Sequence, residues 1–112
     1  MSELTIKSPD GAFTGYLATP ASGSGPGIVV IQEIFGVNKV MRDIADHLAQ
    51  CGYLALVPDL FWRQEPGIQL TDQTEEEWTR AFELYQNFDE DRGVGDLRTT
   101  IDTLRGLDQC SG

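Results

Sequence analysis

Two apolar runs separated by one amphipathic stretch constrain this chain more than any other feature. Gly27-Ile-Val-Val-Ile-Gln32 is apolar on successive residues, and Tyr53-Leu-Ala-Leu-Val57 repeats the pattern before Pro58 stops it. Strands that are apolar on both faces belong to sheets covered on both sides, as parallel α/β sheets are. Between them, Val37, Val40, Met41, Ile44, Ala45 and Leu48 fall on one stripe at helical spacing. Asn38 is placed to cap that helix, which runs to Gln50 or Cys51, and Gly52 ends it. The segment from Gly27 to Val57 therefore reads as a strand, helix, strand unit, whose default is a parallel crossover.

The flanks fit around this unit. Leu4 and Ile6, then Phe13, Tyr16 and Leu17, bracket the turn tripeptide Pro9-Asp10-Gly11, which predicts an antiparallel hairpin. The glycine-rich stretch Pro20–Gly27 precedes a strand and contains Pro26, so it reads as a connector and not as a phosphate cradle. After a long loop from Asp59 to Asp72, a helix is predicted over Glu75–Phe88 with Trp78, Phe82 and Tyr85 on one side, their spacing favouring a core face. A last helix carries Val94, Leu97, Ile101 and Leu104 inward and ends near Gly106. The 112 residues read as a single α/β domain.

Charge excludes some partners. Eight Lys and Arg against 18 Asp and Glu give a formal charge of −10, and the stretch from Glu65 to Asp96 alone holds ten acidic residues against Arg80 and Arg92. Nucleic acid and anionic membrane call for clustered cations, so neither is an expected partner. The acidic run reads as a solvated helical face; as a calcium loop it fails, with Val94 where glycine is needed and Thr100 where glutamate is needed. No metal or cofactor is expected. The opening Met-Ser-Glu-Leu-Thr-Ile-Lys has no basic region followed by an apolar stretch, and two cysteines are too few for a disulfide scaffold, so a cytoplasmic setting is expected.

Glu33 is the most informative residue for chemistry. It follows an apolar strand at its carboxyl end, where open α/β sheets form their sites, and is expected to be partly desolvated. The alternative is a carboxylate that simply accepts backbone N–H bonds from its own loop. Ile34–Val37, leading into a helix, offers a backbone N–H to a developing oxyanion. His47, the single histidine, sits at the flank of the helical stripe, a surface or boundary position. Cys51 is expected to be buried, and Cys110, near Gly112, to be a flexible thiol.

Three segments together carry a resemblance: Gln32-Glu33-Ile34-Phe35-Gly36-Val37-Asn38, Gly52-Tyr53 through Pro58-Asp59-Leu60, and Phe88-Asp89 followed by Gly93-Val94-Gly95-Asp96-Leu97. Along essentially its whole length the chain resembles the amino-terminal half of a dienelactone hydrolase (carboxymethylenebutenolidase), of α/β-hydrolase fold. The fold this implies is an incomplete α/β hydrolase: an antiparallel hairpin, a βαβ unit and two further helices.

The resemblance implies a hydrolase that opens the lactone or ester bond of a small carboxylate substrate through a Cys-His-Asp triad and an acyl-enzyme. Glu33 would contact the nucleophilic cysteine and help activate it, and the Ile34 N–H would supply one oxyanion donor. Phe35, Trp78 and Phe82 would line the substrate site. A family arginine that binds the substrate carboxylate would fall at Trp78; Arg80 is close in sequence but about 160° away around an ideal helix. The strand carrying Gly-x-Cys-x-Gly would begin just after Gly112, and the triad Asp and His would come later. The 112 residues alone are thus expected to be inactive, and to associate with themselves or with a companion fragment through an exposed strand edge. From other classes, a non-catalytic acidic interaction module and, last, a flavodoxin-like carrier stand as alternatives.

Overall fold

Pro9 and Asp10 reverse the chain so that β1 (Ser2–Ser8) and β2 (Gly11–Ala18) run antiparallel, with Ser8 opposite Gly11 and Ser2 opposite Leu17. The computed structural model describes residues 2–112. Strand β3 (Gly27–Val29) leads through helix α1 (Lys39–Gln50) to β4 (Leu54–Pro58), which pairs parallel with β3 and antiparallel with β2. The four-stranded sheet has the order β1-β2-β4-β3. Helices α2 (Glu75–Gln86) and α3 (Glu90–Arg105) follow. The predicted α/β architecture is the one observed.

Both sheet faces are covered, and β4 shows why its sequence has no polar residue. Leu54 and Leu56 point to one side, where Ile6, Phe13, Leu17 and Leu104 of α3 complete a core. Ala55 and Val57 point to the other, against Met41, Ala45 and Ala49 of α1. Strand residues alternate faces, so a strand packed on both sides must be apolar throughout.

Strand β3 departs from expectation. It spans Gly27–Val29 rather than Gly27–Gln32, its residues are half-buried, and Ile31 is 58% exposed. The reason is position: β3 is the sheet edge, flanked along most of its length by β4 alone. Its first residues do gain a second neighbour. Gly25 N–H donates to Gln109 O at 2.9 Å, Ser111 N–H to Gly25 O at 2.9 Å, and Gly27 N–H to Gly112 O at 3.1 Å. Cys110 forms a parallel bridge with Gly25 and packs half-buried on the core, so it is not the loose thiol expected. Cys51, expected inside, is exposed at the end of α1 with its Sγ 3.9 Å from Nε2 of His47, itself exposed as predicted. Both cysteines are free.

Each helix begins at a side-chain cap, of which Asn38 is the one predicted. Asn38 Oδ1 accepts from Met41 N–H at 3.2 Å, Thr74 Oγ1 from Glu77 N–H at 3.1 Å, and Asp89 Oδ1 from Arg92 N–H at 3.1 Å. Their rotations differ from the predicted ones. Helix α1 buries Met41, Ala45 and Ala49 and leaves Val40 and Ile44 exposed. Helix α2 ends at Gln86 and buries Ala81 and Leu84, the latter joining Phe61 and Ile68 in a small core under the 59–70 loop. Trp78, Phe82 and Tyr85 are on its open side, not in the core.

Helix α3 buries Gly93, Asp96, Thr100 and Leu104, while Val94 and Ile101 face outward. Burial of Asp96 is stabilised by partners. Arg63 grips it through Nη2 at 2.9 Å and Nε at 3.2 Å, and Trp62 Nε1 donates to it at 2.9 Å. Arg63 also lies 4.6 Å over the Trp62 ring and pairs with Asp10 of the hairpin turn at 2.9 Å. This cluster ties hairpin, loop and α3 together.

Candidate active site

Beyond Val29 the chain leaves the sheet at the carboxyl end of β3 and enters the segment 32–38. Two tethers fix its shape. Gln32 Oε1 accepts from Leu60 N–H at 2.8 Å, and Leu70 N–H donates to Phe35 O at 2.8 Å. Between them Gly36 forms an antiparallel bridge with Gln69 at φ +81°, a backbone region open to glycine at little cost. A Cβ on Gly36 would lie 2.8 Å from the Ile68 carbonyl carbon, so glycine is also needed for the approach. Further along, Asn38 Nδ2 donates to Leu70 O at 2.8 Å, and Arg42 spans Val37 O and Gln69 Oε1 at 2.9 and 2.7 Å.

Within this rigid loop, Gly36 N–H donates to Glu33 O at 3.3 Å, forming a turn over Ile34 and Phe35. The N–H of Ile34 has no hydrogen-bond partner among the described residues, and neither has the carboxylate of Glu33. Both border an open hollow of about 300 Å³ lined by Ile31, Leu60, Phe61, Tyr85 and Phe88, with Glu90 at its edge. The expected partial desolvation of Glu33 is not met. Its side chain is exposed, on a loop that sits past the end of the edge strand. It does not serve as an acceptor for its own loop amides either.

The aromatic residues form a separate feature beside this hollow. Phe35 meets Trp78 edge-on at 5.1 Å, and Trp78 stacks on Phe82 at 5.6 Å. Trp78 and Phe82 are 38% and 48% exposed, and the Trp78 Nε1 donates to Asp72 O at 2.9 Å. The structure thus brings Phe35, Trp78 and Phe82 together, and Glu33 and Ile34 together. Arg80 points elsewhere, paired with Glu65 at 3.0 Å.

Sequence reasoning passed over Asp59. It is 3% exposed and accepts from Phe61 N–H at 3.2 Å and Gly67 N–H at 2.8 Å. Burial pushes its carboxyl above the usual range, against the two backbone N–H bonds that favour the charged form. The signal was available: Asp59 follows a fully apolar strand, the same context that singled out Glu33.

A turn that holds an acid and an unpaired amide at the carboxyl end of a parallel strand stands where open α/β sheets form their sites. The chain belongs to the dienelactone hydrolase family, whose model matches residues 13–112, and it is therefore of a hydrolase family. It is 57% identical over 94 residues to a protein of Azospirillum brasilense named "Putative carboxymethylenebutenolidase", covering 82% of this chain and 41% of that protein. It is 44% identical over 110 residues to the carboxymethylenebutenolidase of Pseudomonas putida, covering 97% and 47%. Among solved structures, the "Putative Dienelactone Hydrolase" of Klebsiella pneumoniae superposes with a TM-score of 0.73 at 34% identity, over 88% of this chain and 40% of that one. The chain thus spans less than half the length of these relatives. Among the described residues no helix is long and apolar enough to cross a membrane.

Proposed function

We propose that these residues supply the acid and one oxyanion donor of a hydrolase acting on the lactone or ester bond of a small carboxylate substrate. The unpaired Ile34 N–H, held beside Glu33 on a loop tethered at both ends, carries this reading. A backbone N–H fixed before the substrate arrives can stabilise an oxyanion with little reorganisation. In this reading a cysteine thiolate from a Cys-His-Asp triad, contributed by sequence outside these residues, attacks the substrate carbonyl carbon. The carbonyl π electrons move onto oxygen, which accepts the Ile34 N–H. Collapse of the intermediate breaks the C–O bond, the leaving oxygen takes a proton from the triad histidine, and the thioester that remains is hydrolysed by water. Glu33 contacts the thiol and helps activate it, while Phe35, Trp78 and Phe82 offer an apolar wall to the substrate.

The test compares this chain with a complete hydrolase containing it, using a 4-nitrophenyl ester and a dienelactone. The complete enzyme turns over, and the 112 residues alone do not. Glu33→Gln in the complete enzyme lowers turnover by about 10²–10⁴ while the variant keeps a cooperative thermal unfolding transition. Unchanged kinetics would remove Glu33 from the mechanism.

A further inference from the structure

Every backbone or side-chain hydrogen bond that segment 32–38 makes outside itself and α1 goes to one stretch, residues 60–70. The shape of that stretch is therefore the template on which the Glu33–Ile34 turn is built. Its own shape is set from below. Asp59 leaves the end of β4 with its N–H still bonded to Thr14 O at 2.9 Å, so its backbone belongs to the rigid sheet. Its carboxylate then reaches across the turn, one oxygen to Phe61 N–H at 3.2 Å and the other to Gly67 N–H at 2.8 Å. Gly67 (φ +80°) redirects the chain into Ile68, which is 5% exposed, and Ile68–Leu70 lie directly against Phe35 and Gly36.

We infer that Asp59 is a positioning residue for the site: by closing the 59–67 turn onto the sheet it places residues 68–70, and through them the Ile34 N–H and Glu33. The inference rests on the proposed hydrolase reading for its catalytic consequence, but the mechanical link stands on these bonds alone. The charged form suits this bridging task even though burial works against the charge. Two N–H donors converge on two oxygens, and both oxygens accept only when the group is a carboxylate. Asparagine offers one oxygen and turns an NH₂ toward the other N–H. Alanine leaves both donors without a partner inside the protein.

Two measurements test this. In the 112-residue chain, amide exchange at Gly67 reports the turn, and exchange at Leu70, bonded to Phe35 O, reports its attachment to the site loop. Asp59→Asn and Asp59→Ala should speed both, alanine by about tenfold or more, as loss of two bonds of ordinary strength implies. Amides of α1 should keep their protection. In the complete hydrolase, Asp59→Ala should lower kcat per titrated active site by about 10²-fold, the scale of a misplaced catalytic group, with KM nearly unchanged and Asp59→Asn intermediate. Leu104→Ala, in the core on the other side of the sheet, serves as a destabilised control and should keep kcat per site. An unchanged Leu70 exchange rate in both Asp59 variants overturns the link, as does an equal kcat loss in Leu104→Ala. If the complete wild-type enzyme hydrolyses no ester, the hydrolase reading fails, and amide exchange still decides the role of Asp59.

Discussion

Replacing Gly36 by alanine is the most direct assault on the loop that carries the site. Two costs add there. At φ +81° an L-residue gives up about 1 kcal/mol. In addition, the new Cβ would overlap the Ile68 carbonyl oxygen and stand 2.9 Å from its Cγ2. Backbone on both sides must separate, so the 2.8 Å Leu70–Phe35 bond breaks at about 1 kcal/mol. Partial exposure of Ile68, now buried, costs about another 1 kcal/mol. Gly36→Ala should therefore lose about 3 kcal/mol, to which the strand-end geometry contributes more than the dihedral. Gly52→Ala isolates the first cost: its φ is +100° and a Cβ there meets nothing within 4 Å. It should lose only about 1 kcal/mol. Urea unfolding followed by tryptophan fluorescence measures both, with Trp62 and Trp78 on opposite sides of the loop's anchor as reporters. Equal losses in the two variants would refute the claim that contact between segments 35–36 and 68–70 holds the loop.

Other expectations follow from single contacts. Arg63→Ala should destabilise by about 3 kcal/mol in denaturant titration, because Asp96 stays buried without its cation. Asp10→Ala, removing the exposed partner of the same guanidinium, should cost under about 1 kcal/mol. The raised carboxyl of Asp59 means that the folded chain takes up a proton at a pH where the unfolded chain does not. This group's contribution to stability is therefore full below about pH 3.9, the unfolded value, and is lost as pH rises through the folded one. Glu3, Tyr16 and Arg42 share its cavity, and Asp59→Asn should flatten this part of the stability–pH curve measured by denaturation at each pH. At high concentration the 112 residues should self-associate through the edge of β3 beyond Gly27, where Ile31 is 58% exposed near a helix showing Val94 at 64%. Light scattering should show this and Ile31→Lys should reduce it; a stable monomer would contradict it.

The readable and unreadable parts of the fold divide along a physical line. Asn38 caps α1 through an atom three residues away, and Pro9-Asp10-Gly11 closes a hairpin on itself, so these features needed no distant partner to be recognised. Thr74 and Asp89 cap α2 and α3 by the same local geometry. The rotation of each helix did need a distant partner. In α3 the apolar stripe through Val94 and Ile101 competes with the stripe through Asp96 and Thr100, and the polar stripe is the one buried. Arg63 and Trp62, 33 and 34 residues away, neutralise and satisfy Asp96, and Thr100 Oγ1 donates to Asp96 O at 2.7 Å. In α2 the aromatic face looked like core, yet Leu84 is the residue that packs under the 59–70 loop, against Phe61, Ile68 and Phe88 brought from other segments.

By itself, then, the sequence determined the order of elements, the cap at Asn38, the two-sided burial of β4 and the family. Tertiary structure alone decided that β3 is a short edge, that Glu33 is exposed while Asp59 and Asp96 are buried, and that the Ile34 N–H stays unpaired. Periodicity and capping act between residues a few positions apart, whereas burial and the partners of a polar group depend on segments that only folding brings together.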